Sequence, residues 1–284
     1  MQLTVLDGRT LNPGDNPWTQ IEKLGRLQVF DRTEAGQILD HMGDSAIAIT
    51  NKVPFDAATI DALPRLRMIA VTATGYNVID TAHARRKGIT VSNVPAYSTD
   101  SVAQHVFAML LSFLHAPQRH HDAVIDGQWQ REKDFSFSLR TLTELKGKTL
   151  GVIGLGKIGR ATANVAAAFG MKIIAHSRTE TNPLQTMGFR WVSQDELFAQ
   201  SDVISIHCPQ TEDNAKFVDE RLLALMKPSG ILINTARGGL INEPHLAASL
   251  NTVQLAAALL YETSTEPIHP GNTLLDANNC LITP

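Results

Sequence analysis

A short apolar run, Thr149-Leu150-Gly151-Val152-Ile153, feeds directly into Gly154-Leu155-Gly156-Lys157-Ile158-Gly159, and an alanine-rich stretch (Ala161, Ala163, Ala166, Ala167, Ala168) leaves it. Glycines recur in many loops, so G-x-G-x-x-G alone constrains little. Strand before and helix after turn it into a dinucleotide-binding fingerprint. Gly154 permits the tight turn, Gly156 lets backbone approach a pyrophosphate, and Gly159 lets helix and sheet pack closely. Lys157 and Ile158 open the helix, whose N-terminus offers unpaired N–H groups and a positive dipole end to phosphates. The bland alternative is a strand-to-helix turn with no ligand.

Around this loop, short apolar runs alternate with helical patterns, which predicts an α/β protein with parallel sheets and crossover helices. In the first part, strands are expected at residues 3–6, 27–30, 46–50, 68–71 and 90–92, and helices at 17–24, 33–42, 56–63 and 81–87. In the second, strands are expected at 149–153, 172–175, 203–207, 231–234 and 280–283, with a further one at 253–260. Between them, Val102, Val106, Met109, Leu110 and Phe113 recur at helical spacing over 98–114. Asn93-Val94-Pro95-Ala96 reads as a hinge. The domains are therefore 1–96, which would carry the substrate, and 97–284, which would bind the dinucleotide. Past 114 the pattern is irregular. Pro117 breaks the helix, and His115, His120 and His121 read as a solvated segment rather than a metal site. Trp129, Phe135 and Phe137 are open to two readings, a substrate-cleft wall or a subunit contact.

Composition excludes several classes. A net charge of −3 over 284 residues provides no broad basic field for nucleic acid. A small anionic substrate must then be met by local positive groups. Two cysteines, Cys208 and Cys280, exclude a disulfide scaffold and read as free, buried thiols. The N-terminus lacks a signal-peptide pattern, and no apolar run reaches membrane-spanning length, so a cytoplasmic protein without membrane contact is expected.

The end of the second strand of the dinucleotide domain selects the nucleotide. An NAD site places a carboxylate there, about twenty residues past the loop. Here the strand ends at Ser177-Arg178-Thr179, and the next acid is Glu180. Ser177 and Arg178 offer donors and positive charge to a 2′-phosphate, so NADP is favoured over NAD. A solvated loop arginine with weak selectivity is the alternative.

Several stretches together resemble the D-isomer-specific 2-hydroxyacid dehydrogenases over almost the whole chain, most closely their glycerate dehydrogenase (hydroxypyruvate reductase) branch. They are Ala73-Thr74-Gly75-Tyr76-Asn77-Val78-Ile79-Asp80, residues 93–103, the glycine loop, His207-Cys208-Pro209, Asn234-Thr235-Ala236-Arg237-Gly238-Gly239 and Ser264-Thr265-Glu266-Pro267. The resemblance implies a Rossmann-type doubly wound sheet plus a flavodoxin-like substrate domain. It implies reduction of a small 2-keto acid to a D-2-hydroxy acid by nicotinamide hydride, in a homodimer. Arg237 has the planar fork to bind the carboxylate and polarise the carbonyl oxygen, and the amides of Thr74 and Gly75 would hold the substrate carboxylate. By similarity, Cys208, Pro209, Asn214, Thr235 and Ala236 line the nicotinamide and ribose, and Glu266 pairs with a catalytic histidine. Blander roles remain open: a surface ion pair for Arg237, a turn for Glu266, an ordinary turn for Thr74-Gly75.

The chain departs from the pattern twice. The family's proton-donating histidine follows a motif like Cys280-Leu281-Ile282-Thr283-Pro284, where the chain as written stops. His269, in the turn-like Pro267-Ile268-His269-Pro270-Gly271, is not read as its replacement. And where the family has Gly-Leu-Asp-Val, this chain has Leu259-Leu260-Tyr261-Glu262. Tyr261 takes the Asp position, Leu259 threatens close packing beside the cofactor, and Glu262 puts a charge at an apolar position of an expected strand. From these departures a C-terminally truncated, impaired enzyme is expected. The alternative is a non-catalytic nucleotide-binding regulator, and a lactate or formate dehydrogenase of the same family is a third reading.

Overall fold

The computed structural model describes residues 1–180, 183–186 and 188–284. By internal contacts the chain divides into two compact units, Met1–Tyr97 and Ser98–Pro284.

The first unit runs β1 (Gln2–Val5), α1 (Gly8–Leu11), α2 (Thr19–Glu22), β2 (Arg26–Val29), a 3₁₀ turn at Ala35–Gln37, α3 (Ile38–Met42), β3 (Ile47–Thr50), α4 (Ala57–Asp61), β4 (Met68–Val71), α5 (Thr81–Arg86) and β5 (Thr90–Ser92). Its five strands are parallel in the order β2-β1-β3-β4-β5, the flavodoxin-like order. Apolar clusters cover both faces, which is why β3 and β4 read as continuous apolar runs rather than alternating ones. Two helices are shorter than their patterns suggest. The expected helix at 17–24 closes to one turn. The one at 33–42 starts as a 3₁₀ turn because Glu34 and Gln37 form a reciprocal capping box inside it. The single turn α1 has no amphipathic repeat and leaves no mark on the sequence.

The second unit runs α6 (Thr99–His115), α7 (Pro117–Ile125), α8 (Gln128–Arg131), β6 (Thr149–Ile153), α9 (Lys157–Ala168), β7 (Lys172–His176), β8 (Arg190–Trp191), α10 (Gln194–Gln200), β9 (Val203–Ile206), α11 (Glu220–Leu225), β10 (Ile231–Asn234), α12 (Glu243–Asn251), β11 (Ala257–Leu260) and β12 (Cys280–Ile282). The parallel order β12-β11-β10-β9-β6-β7-β8 reverses direction at β6, as in a doubly wound Rossmann sheet. One face is covered by α6 and α9, with Val106, Phe107, Leu110, Ala163 and Ala166 buried. The other is covered by α10, α11 and α12, with Leu197, Phe198, Leu222 and Leu246 buried. Pro117 does not leave a loop. Ala116 turns left-handed (φ 44°) and Pro117 becomes the first residue of α7, where its missing N–H costs nothing.

The expected strand at 253–260 is half as long. Val253 adopts φ 58°, and the N–H groups of Val253 and Gln254 still bond back to Leu250 and Ser249, so the chain is still leaving α12. Pairing with β10 then begins at Ala257 and ends at Leu260. Glu262 therefore lies beyond the strand, which corrects its reading as a charge inside one. Leu259 is fully buried in the α6–α9 core, where it fills space among aliphatic side chains.

Candidate active site

The glycine loop sits at the carboxyl end of β6, the topological switch point where such sheets bind ligands. Gly154 has φ 90°, and its N–H donates to His176 O (2.8 Å). A Cβ there would stand 2.8 Å from Cys208 N, so the loop packs directly on the backbone leaving β9. At Gly159 a Cβ would meet Gly154 O at 2.2 Å. Gly156 differs: nothing lies within 4 Å of its virtual Cβ, and its φ of −76° suits any residue. The fold itself does not ask for glycine at 156. Open space in front of the first turn of a twelve-residue helix fits a phosphate group held by the N–H groups of Lys157, Ile158 and Gly159.

At the end of β7, Leu155 N–H donates to Ser177 Oγ (2.9 Å), so Ser177 ties the glycine loop to the second strand. Arg178 beside it is exposed. On the other side of β6, His207-Cys208-Pro209 leave β9. Burial pushes the Cys208 thiol up to about 11, so it is a neutral thiol rather than a thiolate at neutral pH. Asn214 donates from Nδ2 to Pro209 O (2.8 Å) and accepts Thr211 N–H at Oδ1 (2.7 Å), which holds the loop after Pro209 in one shape.

His207 bonds Ser205 Oγ through Nε2 (2.9 Å), and burial pushes its pKa from 6.5 down to about 4. The folded protein keeps this ring neutral where the unfolded chain would protonate it. Stability is then fully present above pH 6.5 and falls as pH drops toward 4, by about 2–3 kcal/mol. Urea titrations at pH 5 and pH 7 check this. His207→Gln is expected to flatten the slope.

The end of β10 carries Thr235-Ala236-Arg237-Gly238. Asn234 organises this turn: its Oδ1 accepts Ala236 N–H (3.0 Å) and its Nδ2 donates to Arg237 O (2.8 Å). Thr235 Oγ1 is buried without a hydrogen-bond partner among the described residues, a vacancy that a bound group's polar atom can satisfy. Gly238 is required by packing, since a Cβ would fall 1.9 Å from the carbonyl carbon of Thr263. Arg237 Nη1 donates to Ala236 O (2.6 Å) and to Glu262 Oε1 (3.2 Å).

Sequence reasoning missed Glu243, at the first turn of α12 and 8% exposed. Its carboxylate accepts Ser264 N–H (2.6 Å), Ser264 Oγ–H (2.7 Å) and Asn272 Nδ2–H (2.8 Å), which anchors the loop seated on Gly238. Nothing in Asn242-Glu243-Pro244 beyond a helix start announces this. Glu266 lies on the same loop and is exposed, and His269 Nδ1 accepts Gly271 N–H (3.1 Å) within a turn.

In the first unit, Thr74-Gly75 follow β4. Val94 N–H takes Ala73 O (3.1 Å) and Asn93 Nδ2–H takes Thr74 O (2.8 Å), so the turn is held by its carbonyl side.

A glycine loop at the switch point and an arginine at a nearby strand end suit a nucleotide-dependent site. Comparison with known proteins supplies the family. Residues 107–284 match the model for the D-isomer specific 2-hydroxyacid dehydrogenase NAD binding domain. The chain is 42% identical to hydroxypyruvate reductase of Blautia hydrogenotrophica, over 100% of this chain and 89% of that protein. It is 36% identical to glycerate dehydrogenase of Methylorubrum extorquens, over 87% and 77%. An NADPH-dependent glyoxylate/hydroxypyruvate reductase of Sinorhizobium meliloti, solved with NADP and malonate, superposes with a TM-score of 0.82 at 28% identity, covering 100% of this chain and 85% of that one. The chain belongs to the D-isomer-specific 2-hydroxyacid dehydrogenase family. It is a 2-hydroxyacid oxidoreductase of the NAD(P)-dependent kind. Among the described residues no helix is long and apolar enough to cross a membrane.

Proposed function

We propose that this chain reduces a short 2-keto acid, hydroxypyruvate or glyoxylate, to the D-2-hydroxy acid, with NADPH preferred over NADH. The observation that carries the reading is the guanidinium of Arg237 at the carboxyl end of β10, one strand removed from the Gly154–Gly159 loop at the end of β6. Neighbouring strands are about 4.8 Å apart, so the two strand ends lie roughly 10 Å from each other. That spacing suits phosphates at one end and a reacting carbonyl at the other. When bound, the nicotinamide supplies a hydride for the carbonyl carbon. Arg237 binds the substrate carboxylate and polarises the carbonyl oxygen, where negative charge develops. Thr74 and Gly75 offer amides to the carboxylate. Cys208, Pro209, Thr235 and Ala236 form the nicotinamide and ribose lining, with Asn214 holding its loop. Glu266 is the candidate to pair with a proton-donating imidazole that would supply the hydroxyl proton; His269, held in its own turn, is not read as that group.

The NADP preference rests on Ser177 and Arg178 at the end of β7, supported by the NADP bound to the Sinorhizobium relative. A charge-assisted hydrogen bond contributes about 1.5–3 kcal/mol. Arg178→Ala is therefore expected to raise the KM for NADPH about tenfold to a hundredfold and leave that for NADH unchanged. Steady-state oxidation of NADPH and NADH with hydroxypyruvate and glyoxylate tests the whole reading. No turnover, and no uptake of either nucleotide by folded protein, would refute it. A homodimer is proposed as well, because Ile125, Trp129 and Phe135 leave apolar surface exposed on the α7–α8 segment and beyond it, Phe135 at 91%. Sedimentation at micromolar concentration checks the oligomeric state. The free thiols Cys208 and Cys280 suit a reducing compartment such as the cytoplasm.

A further inference from the structure

Helix α5 and its C-cap carry three consecutive cations, Arg85, Arg86 and Lys87. Two of them are engaged. Arg86 Nη2 donates to His83 Nδ1 (3.0 Å), and Lys87 Nζ pairs with Asp61 Oδ1 (2.6 Å). Arg85 has no ion pair among the described residues. Instead it borders a groove of about 460 Å³ in the first unit, between α5 and the edge strand β5. Thr81 and Arg85 line it one helical turn apart. Ile89, Val91 and Asn93 line it at the alternation of a strand, and Tyr76 forms the remaining wall. None of these six residues is acidic.

The lining sorts by chemistry. Ile89, 8% exposed, and Val91 give an apolar floor. Thr81 and Tyr76 bring hydroxyls, each both donor and acceptor. Asn93 donates one amide hydrogen to Thr74 O (2.8 Å), which leaves its second hydrogen and Oδ1 for a ligand. Arg85 brings a planar fork that matches a carboxylate. One cation, three neutral polar groups and an apolar floor suit a ligand with one carboxylate, hydroxyls and a short carbon skeleton. Inorganic phosphate suits the groove less well, because it meets a single guanidinium and leaves Ile89 and Val91 without a partner. We propose that the α5–β5 groove binds a short hydroxy acid through Arg85. The groove's residues belong to the first unit and Arg237 to the second, so the proposal goes beyond the keto-acid reading and does not rest on it.

The test is amide NMR of the full 284-residue chain. D-Glycerate is the probe, inorganic phosphate is the comparison, and thermal melting is read on the same samples. D-Glycerate is expected to shift the resonances of Thr81, Arg85 and Val91 saturably, in the wild type and equally in Arg237→Ala. Arg85→Ala is expected to raise the Kd read from those shifts about tenfold to a hundredfold, as loss of a charge-assisted hydrogen bond implies. Arg85→Lys keeps the charge without the fork and should fall between the two. Both Arg85 variants should melt within about 3 °C of wild type. No saturable shift around the groove in the folded wild type overturns the proposal. Loss of those shifts in Arg237→Ala makes the groove an extension of the Arg237 site and overturns it too. So does unchanged affinity in Arg85→Ala with a lowered Tm, which leaves Arg85 only a cation facing a helix end. Phosphate binding as tightly as D-glycerate makes the groove a general anion contact and also overturns the assignment.

Discussion

Arg237→Ala is expected to lower kcat/KM for the keto acid by about 10²- to 10⁴-fold. A bidentate grip comprises two charge-assisted hydrogen bonds of about 1.5–3 kcal/mol each, and every 1.4 kcal/mol is about tenfold. On the proposed reading the loss appears in kcat as well as KM, because there the guanidinium also meets charge that develops on the carbonyl oxygen. Arg237→Lys keeps the charge without the planar fork and should fall between the two. Removing the arginine also takes away the hydrogen bond that Glu262 Oε1 accepts, with a side chain 11% exposed. Loss of a partly buried charge-assisted bond lowers stability as well, by about 1–3 kcal/mol. Steady-state kinetics at saturating nucleotide, with a melting curve on the same samples, separate the two effects. A variant within threefold of wild type would remove Arg237 from the site.

The second large effect is a contrast within one loop. Gly154→Ala forces a side chain onto φ 90° and places its Cβ 2.8 Å from Cys208 N. Backbone strain and overpacking of that kind cost roughly 2–5 kcal/mol together, or about 5–15 °C in Tm for a unit of this size. Gly156→Ala meets nothing within 4 Å. Its stability should stay within about 0.5 kcal/mol of wild type. Its nucleotide affinity should fall about tenfold to a hundredfold, because the methyl group occupies the space assigned to a phosphate. Fluorescence titration with NADPH beside differential scanning calorimetry reads both quantities. Unimpaired binding by folded Gly156→Ala would move the phosphates away from this face.

The two glycines also show what could be read from the chain alone. Both belong to one motif, and the flanking periodicity identified the turn around them. The motif already assigned the turn to 154 and the phosphate approach to 156; only the tertiary structure shows that His207 and Cys208, more than fifty residues away, pack against 154 while 156 faces open space. Arg237 was legible through the Thr-Ala-Arg-Gly turn at a strand end. Its partner was not. Glu262 looked like a charge misplaced in a strand because the end of β11 is set by pairing, Asn234 with Leu260 and Leu260 with Ile282, and not by local composition. Glu243 gave no signal at all, since its partners Ser264 and Asn272 lie more than twenty residues downstream.

By itself, the order of residues determined two α/β units with parallel sheets, the switch-point loop and the strand-end arginine proposed to meet an oxoacid. Those features depend on local dihedral limits and on apolar repeats a few residues long. Three-dimensional packing alone decided which carboxylate grips that arginine, which turn rests on Gly238 and where β11 stops. Each depends on groups distant in the chain meeting within a few ångströms, and no spacing rule along a sequence encodes that.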